Sequence, residues 1–185
     1  MRHGVWVDSA TSTTIADPDI RNSGEHGIYV TDGATPAIAD GTIRDNDGHG
    51  VAIVDASPSV DYCNITYNGL NGLYFAGSTN ATTSYNVIKF NGDSGVGVWT
   101  TNDGNPTPTI EYSNIYGNAV SGVTLVELAD AGISTSFTCC STSGSTSSAY
   151  TAPAGKTIRR VRVNFQDGSD RSQIDGYLLD GTTCL

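Results

Sequence analysis

The chain has 185 residues, of which 22 are Gly and only 15% are charged, and acids outnumber bases 19 to 9 for a formal net charge of −10. That composition excludes a charged coiled coil, and the acidic balance leaves no footprint for duplex nucleic acid at the level of whole-chain charge. No apolar run approaches the roughly 18 residues of a membrane-spanning helix, and the glycines lack the every-third-residue spacing of collagen.

Nine Tyr and many Val and Ile argue against disorder, and the length suits one domain with a modest core. The opening residues, Met1 to Trp6, carry no apolar stretch of a secretory leader. The four Cys form no C-x-x-C pair and no Cys/His cluster with zinc spacing.

From the first residues onward the chain repeats. Gly followed by an aliphatic residue recurs at Gly4, Gly27, Gly50, Gly72, Gly95 and Gly122, at intervals of 23, 23, 22, 23 and 27. Two anchors follow each of the first five: Ile15 and Ile20, Ile38 and Ile43, Val60 and Ile65, Thr83 and Ile88, Ile110 and Ile115. The anchors are always five apart, and the second is always seven before the next Gly. All length variation falls between the Gly and the first anchor. The Gly-led segments alternate, with Val5 and Val7 on one face and Trp6 and Asp8 on the other. Period two predicts strands, three to a unit. One unit cannot bury its inward face, but stacked units can.

The Ile-x-x-small-x-Ile unit is followed by Asn-x-x-x-Gly-aliphatic at Asn46–Gly50, Asn68–Gly72, Asn91–Gly95 and Asn118–Gly122. Ser23 takes the Asn place in the first unit. This pattern resembles the right-handed parallel β-helix of the pectate-lyase-like superfamily. The resemblance covers residues 4 to about 126 and implies an all-β, right-handed parallel β-helix of about six coils over residues 1–138. It also implies an extracellular or surface location. Lyases, hydrolases, epimerases, adhesins and phage spikes share the architecture, so it does not choose among them. The superfamily's lyases use Asp-bound calcium and an Arg base, and no local motif carries those roles onto this chain.

Equivalent positions of stacked coils should form columns. The Asn column should hydrogen-bond along itself, and the small residues Pro18, Gly41, Cys63, Asn86 and Ser113 should face inward at a bend, with Cys63 a buried free thiol. His3, His26 and His49 precede three successive glycines; they read as a polar ladder ending a turn, with a metal shared by His26, His49 and Asp45 as the sharper alternative. Arg21, Arg44 and Lys89 are the only bases between residues 4 and 121, against 13 acids. They are expected to point outward, where Arg21 and Arg44 could meet carboxylate or sulfate groups of a glycan. Trp6, Tyr29, Ala52, Tyr74, Gly97 and Thr124 are the outward positions of the Gly-led strands, with Trp99 just beyond. Aromatic faces there suit sugar rings, beside a variable turn that is longest after Trp99. Asp32 with Asp55, and Asp17 with Asp40, fall in register between coils; such pairs suit a glycosidase or a calcium ion, and Asp is equally an ordinary turn residue.

Residues 139–155 read as a Ser/Thr-rich loop or linker. Residues 156–185 read as a β-hairpin over Thr157–Phe165 and Ile174–Leu179, capping the stack or assembling subunits. Cys184 could bridge to Cys139 or Cys140 in an oxidising compartment. A homo-oligomer could form through that hairpin or the uncapped N-terminal coil.

The sequence therefore points first to recognition of a glycan or polysaccharide by Trp6, Tyr29, Tyr74 and Trp99 with Arg21 and Arg44. The alternative is a lyase, hydrolase or epimerase working beside Arg44, His49, Asp32 or Asp55. A third reading is a structural or adhesive unit of a virion or cell surface. No cofactor is required by any motif, with calcium the one candidate, and no nucleic acid or membrane insertion is expected.

Overall fold

A computed structural model describes residues 2–99, 104, 106–126, 136–143 and 162–165. The described chain is a parallel β-solenoid of about five turns with three parallel sheets, one turn fewer than the repeat count suggests. The sixth Gly-led strand opens a turn that is completed differently from the others.

The first sheet holds six strands: Val5–Asp8, Ile28–Thr31, Val51–Val54, Leu73–Ala76, Val96–Trp99 and Val123–Val126. The second sheet runs Thr14–Ala16, Ala37–Ala39, Ser59–Asp61, Thr82–Ser84 and Thr109–Glu111. The third runs Asp19–Arg21, Thr42–Arg44, Asn64–Thr66, Val87–Lys89 and Asn114–Tyr116. Every pairing is parallel and in register from one coil to the next, as in Val5 with Ile28, Ile15 with Ile38 and Ile20 with Ile43. Ser136–Ser143 then pairs with the last strand of both the second and the third sheet. Arg162–Phe165 pairs parallel with Ser136–Ser143. The remainder of the expected hairpin, residues 156–161 and 166–185, lies outside the described residues, so no cap is shown. Cys139 and Cys140 lie on Ser136–Ser143, and their expected partner Cys184 lies outside the described residues.

Inward residues stack into rows and form one core. Ile28, Ile43, Ile65, Ile88, Ile115, Val30, Ile53 and Phe75 are fully buried. In the first coil Val5, Ile15 and Ile20 are only partly buried against that core. The leading glycines owe their places to close packing. A Cβ on Gly50 would lie 2.5 Å from Ile65 Cγ2, 2.7 Å from the Gly72 carbonyl oxygen and 2.8 Å from Asn68 Nδ2. Real Cβ atoms do not approach so closely, so only Gly lets the third-sheet Ile and the next coil pack against this position.

Two internal polar ladders tie the coils together. Asn46 Nδ2 donates to Asn68 Oδ1 at 2.8 Å, Asn68 to Asn91 at 3.0 Å, and Asn91 to Asn118 at 3.0 Å. Each Oδ1 also accepts a backbone N–H, and Ser23 joins by donating its N–H to Asn46. All four Asn are buried, so these bonds satisfy groups that burial would otherwise penalise. At the opposite bend the Cys63 N–H donates to Asn86 Oδ1, and the Asn86 N–H to Ser113 Oγ. Cys63 is a buried free thiol, and burial raises its pKa most strongly.

Three corners per turn use left-handed backbone. One column is Ser9, Asp32, Asp55 and Gly77; a second is Asp17, Asp40, Tyr62, Tyr85 and Tyr112; a third is Asn22, Asp45, Tyr67, Phe90 and Gly117. Asp and Asn tolerate this region by local hydrogen bonding, whereas Tyr and Phe seldom enter it.

Candidate functional site

The outward column of the first sheet aligns as expected: Trp6 with Tyr29, Tyr29 with Ala52, Ala52 with Tyr74, and Tyr74 with Gly97. Trp6 is 63% exposed, and Tyr29 and Tyr74 are half-buried. Ala52 and Gly97 are buried despite facing outward. Above Gly97 sits the Asn71 amide, whose Nδ2 would be 2.9 Å from an added Cβ. Trp99 belongs to the neighbouring column, paired with Ala76, and its ring lies 6.3 Å from that of Tyr74 at 51°. Most of the long turn after Trp99 lies outside the described residues.

The histidines merge with these aromatics. His3 stacks on His26 at 5.1 Å and on Tyr29 at 5.0 Å. His26 stacks on His49 at 4.9 Å, and His49 lies parallel to Tyr74 at 4.3 Å and 4°. Trp6 is tilted 44° to Tyr29 and nearly edge-on to His3, so it is not locked face to face into the stack. The result is a continuous aromatic row along the start of the first sheet, with Trp6 as its most open ring.

The His column has a definite hydrogen-bond task. The His49 N–H donates to His26 Nδ1 at 3.1 Å, the Asn71 N–H to His49 Nδ1 at 3.1 Å, and the Ser94 N–H to Asn71 Oδ1 at 3.0 Å. Each side chain thus accepts from the backbone of the next coil, and Asn71 continues what the histidines begin. An accepting Nδ1 places the proton of a neutral ring on Nε2. Burial, then the neighbouring His26, pushes the His49 pKa down to about 3. Burial, then His3, also lowers His26, against an opposing pull from Glu25. His3 Nε2 lies 3.1 Å from Glu25 Oε2. Rings stacked face to face with Nδ1 occupied do not converge their lone pairs on one point, as a metal requires. Among the described residues no group of three His, Cys, Asp or Glu gathers for a metal ion.

The other candidates stand elsewhere. Arg21 and Arg44 align on the outer face of the third sheet, where Arg21 pairs with Asp19 at 3.4 Å and Arg44 with Asp45. Arg44 is therefore committed to Asp45 on one element while His49 is stacked in the row on another. Asp32 and Asp55 share the corner after the first sheet. The Asp32 pKa is raised, first by the charge of Asp8 and then by a hydrogen bond with it. Asp55 Oδ1 accepts the Ser78 N–H at 2.7 Å, a turn-capping role.

Two features went unread in the sequence. Tyr62, Tyr85 and Tyr112 form an exposed ladder, with rings 4.8 and 5.0 Å apart and within 9° of parallel. Tyr67 stacks on Phe90 at 5.3 Å, and Tyr116 meets Phe90 edge-on at 5.8 Å. These ladders border the third sheet on either side. Their signal was present: 62, 85 and 112 are spaced by the same 23 and 27 as Gly72, Gly95 and Gly122.

A family model described as a right-handed β-helix region matches residues 1–148. No curated protein and no solved structure matches the chain significantly.

Proposed function

The chain belongs to the right-handed β-helix family, and from that premise we propose that it is a polysaccharide-recognition module whose ligand lies along the aromatic row of the first sheet. The observation that carries the reading is Trp6, widely exposed beside Tyr29 and His3 on a rigid, in-register sheet. A sugar ring packs its C–H face on such an indole, and a preordered platform spends little entropy on binding. Tyr74 and Trp99 supply a second aromatic pair on the same sheet. Arg21 and Arg44, paired with Asp19 and Asp45, contribute less than free cations would.

Affinity electrophoresis through gels containing soluble neutral glucans, xylans or mannans tests this reading. The wild type should be retarded by at least one of them, and Trp6→Ala should lose most of the retardation. Trp99→Ala should weaken it further. Mobility that neither substitution alters would dismiss the first sheet as the platform.

A further inference from the structure

Tyrosine recurs at one bend of the solenoid. In the first two coils the left-handed corner between the second and third sheets is Asp17 and Asp40. In the next three it is Tyr62, Tyr85 and Tyr112, at φ of +55°, +56° and +47°. Asp enters that region readily, whereas Tyr does so against a steric penalty. Strain of this kind, repeated along one edge, marks a place where the side chain is used.

The fold holds these rings in a fixed stack. Before the corner, Asp61 aligns with Ser84 and Ser84 with Glu111. After it, Asn64 aligns with Val87 and Val87 with Asn114. At the corner the Tyr62 N–H donates to the Ser84 carbonyl at 3.0 Å and the Tyr85 N–H to the Glu111 carbonyl at 3.2 Å. Asp61 Oδ1 also accepts from the Ser84 N–H and hydroxyl. Each ring therefore lies over the next, at 4.8 Å and 5° for Tyr62 on Tyr85 and at 5.0 Å and 9° for Tyr85 on Tyr112. All three are exposed, between 47% and 58%.

Among the described residues no other column sets one tyrosine ring on another. Tyr67 is 56% exposed, but its stacked neighbour is Phe90. Tyr116 meets the same Phe90 edge-on. Tyr29 and Tyr74 are half-buried, and Ala52 stands between them in register. Tyr150 and Tyr177 lie outside the described residues.

We propose that the Tyr62, Tyr85 and Tyr112 column is an oxidative modification site, where hydrogen peroxide and a haem peroxidase join neighbouring phenols into dityrosine. It stands apart from the first-sheet platform and does not depend on it. The peroxidase takes one electron and one proton from each of two adjacent phenols, leaving two phenoxyl radicals. Spin density on the carbons ortho to oxygen lets the two rings join by one C–C bond. The two ortho hydrogens then move to the phenoxyl oxygens, and both rings regain aromaticity. In total two C–H bonds break and one C–C bond forms. The two electrons and two protons released reduce one hydrogen peroxide to two waters.

Access and proximity both favour this site. The exposed rings meet the oxidant without unfolding, and they can tilt about their side-chain bonds to bring ortho carbons into bonding distance. At about 1 μM protein, a neighbouring ring at an effective concentration of millimolar or more outcompetes a second molecule by about a thousandfold. The product closes a loop of 23 residues from Tyr62 to Tyr85, or of 27 from Tyr85 to Tyr112. Like a disulfide, it staples the chain covalently and restricts the unfolded state.

The test treats the full chain, at about 1 μM, with a haem peroxidase and hydrogen peroxide. The wild type should gain dityrosine fluorescence while still migrating as a single chain on denaturing gels. By mass spectrometry the linked peptide should lack two hydrogens and resist fragmentation between the joined tyrosines. Tyr85→Phe preserves a stacked ring but leaves Tyr62 and Tyr112 two coils apart, about 10 Å, and should lower the yield about tenfold or more. Tyr67→Phe should keep the full yield. Treatment should raise the thermal midpoint of the wild type by about 5 °C or more relative to its effect on Tyr85→Phe. Circular dichroism establishes that each variant is folded. Absence of dityrosine in the folded wild type would overturn the proposal, as would a yield indifferent to Tyr85→Phe. Dityrosine found only between molecules would overturn it as well, and an unchanged midpoint in the modified wild type would overturn the staple.

Discussion

His49 makes acid sensitivity a local property that can be removed. In the folded chain its Nδ1 accepts the Asn71 N–H and its ring is stacked between His26 and Tyr74, with a pKa pushed from 6.5 down to about 3. Unfolded, the same ring titrates near 6.5. Between those values the unfolded chain binds a proton that the folded chain refuses. Stability is therefore full above pH 6.5 and is lost as pH falls toward 3. The whole window corresponds to roughly 3–5 kcal/mol, and the part above pH 4.5 to about 2–3 kcal/mol. His49→Asn places in the third coil the residue that Asn71 supplies in the fourth, where its Oδ1 accepts the Ser94 N–H. The acceptor survives and the titration disappears. The variant also loses the stacking on Tyr74, about 0.5–1.5 kcal/mol at neutral pH. Urea denaturation at pH 7.5 and 4.5 measures both effects. The variant should start slightly less stable and lose about 2 kcal/mol less on acidification than the wild type, with His26 retaining a smaller slope. Equal losses in the two proteins would show that the His49 ring does not control the acid response.

Other substitutions probe the remaining contacts. Asn91→Ala should cost about 2–4 kcal/mol in chemical denaturation, because the buried Asn68 N–H and one of the two Asn68 Nδ2 bonds lose their acceptor and the Ile65 carbonyl loses the Asn91 Nδ2. Ile65→Ala should cost about 2–5 kcal/mol by opening a cavity in a row of fully buried side chains. Gly50→Ala should cost about 1–3 kcal/mol by forcing Ile65 and the Gly72 carbonyl apart. Tyr85→Gly should change stability little, since losing two ring contacts is offset by relief of a φ of +56°; a loss above about 2 kcal/mol would mean the ladder is a main structural support.

The sequence carried the fold because a solenoid writes each contact many times. Gly50, Ile65 and Asn68 recur at fixed spacing, and the three meet in space. Cys63 was readable as inward because Gly41, Asn86 and Ser113 share its place. Periodicity alone left open why the leading residue must be Gly; the answer is a collision between coils. The first-sheet row was partly legible, but its fusion with the histidines depends on side-chain rotamers that no spacing encodes. The Tyr62 and Tyr67 ladders were hidden because their columns begin as Asp17 and Asn22, so the residue type changes while the corner geometry does not. The end of the stack was misjudged because Gly122 keeps the leading signature while Phe137 and Thr142, which pair with Ile110 and Ile115, carry the anchor places on one continuous strand. A strand beginning at Ser136 takes over both remaining sheets.

The corner between the first and second sheets absorbs every change of length in the repeat. The other two corners keep constant residue counts and a left-handed turn in each of the five coils. A peptide spliced after Gly77, before Thr82 begins the second sheet, would therefore leave every ladder in register. The same peptide spliced beside Tyr85 would push Val87 and Ile88 out of alignment with Asn64 and Ile65. The scaffold offers a row of permissive insertion ports along one edge, stacked about 4.8 Å apart, on which foreign loops could be displayed side by side.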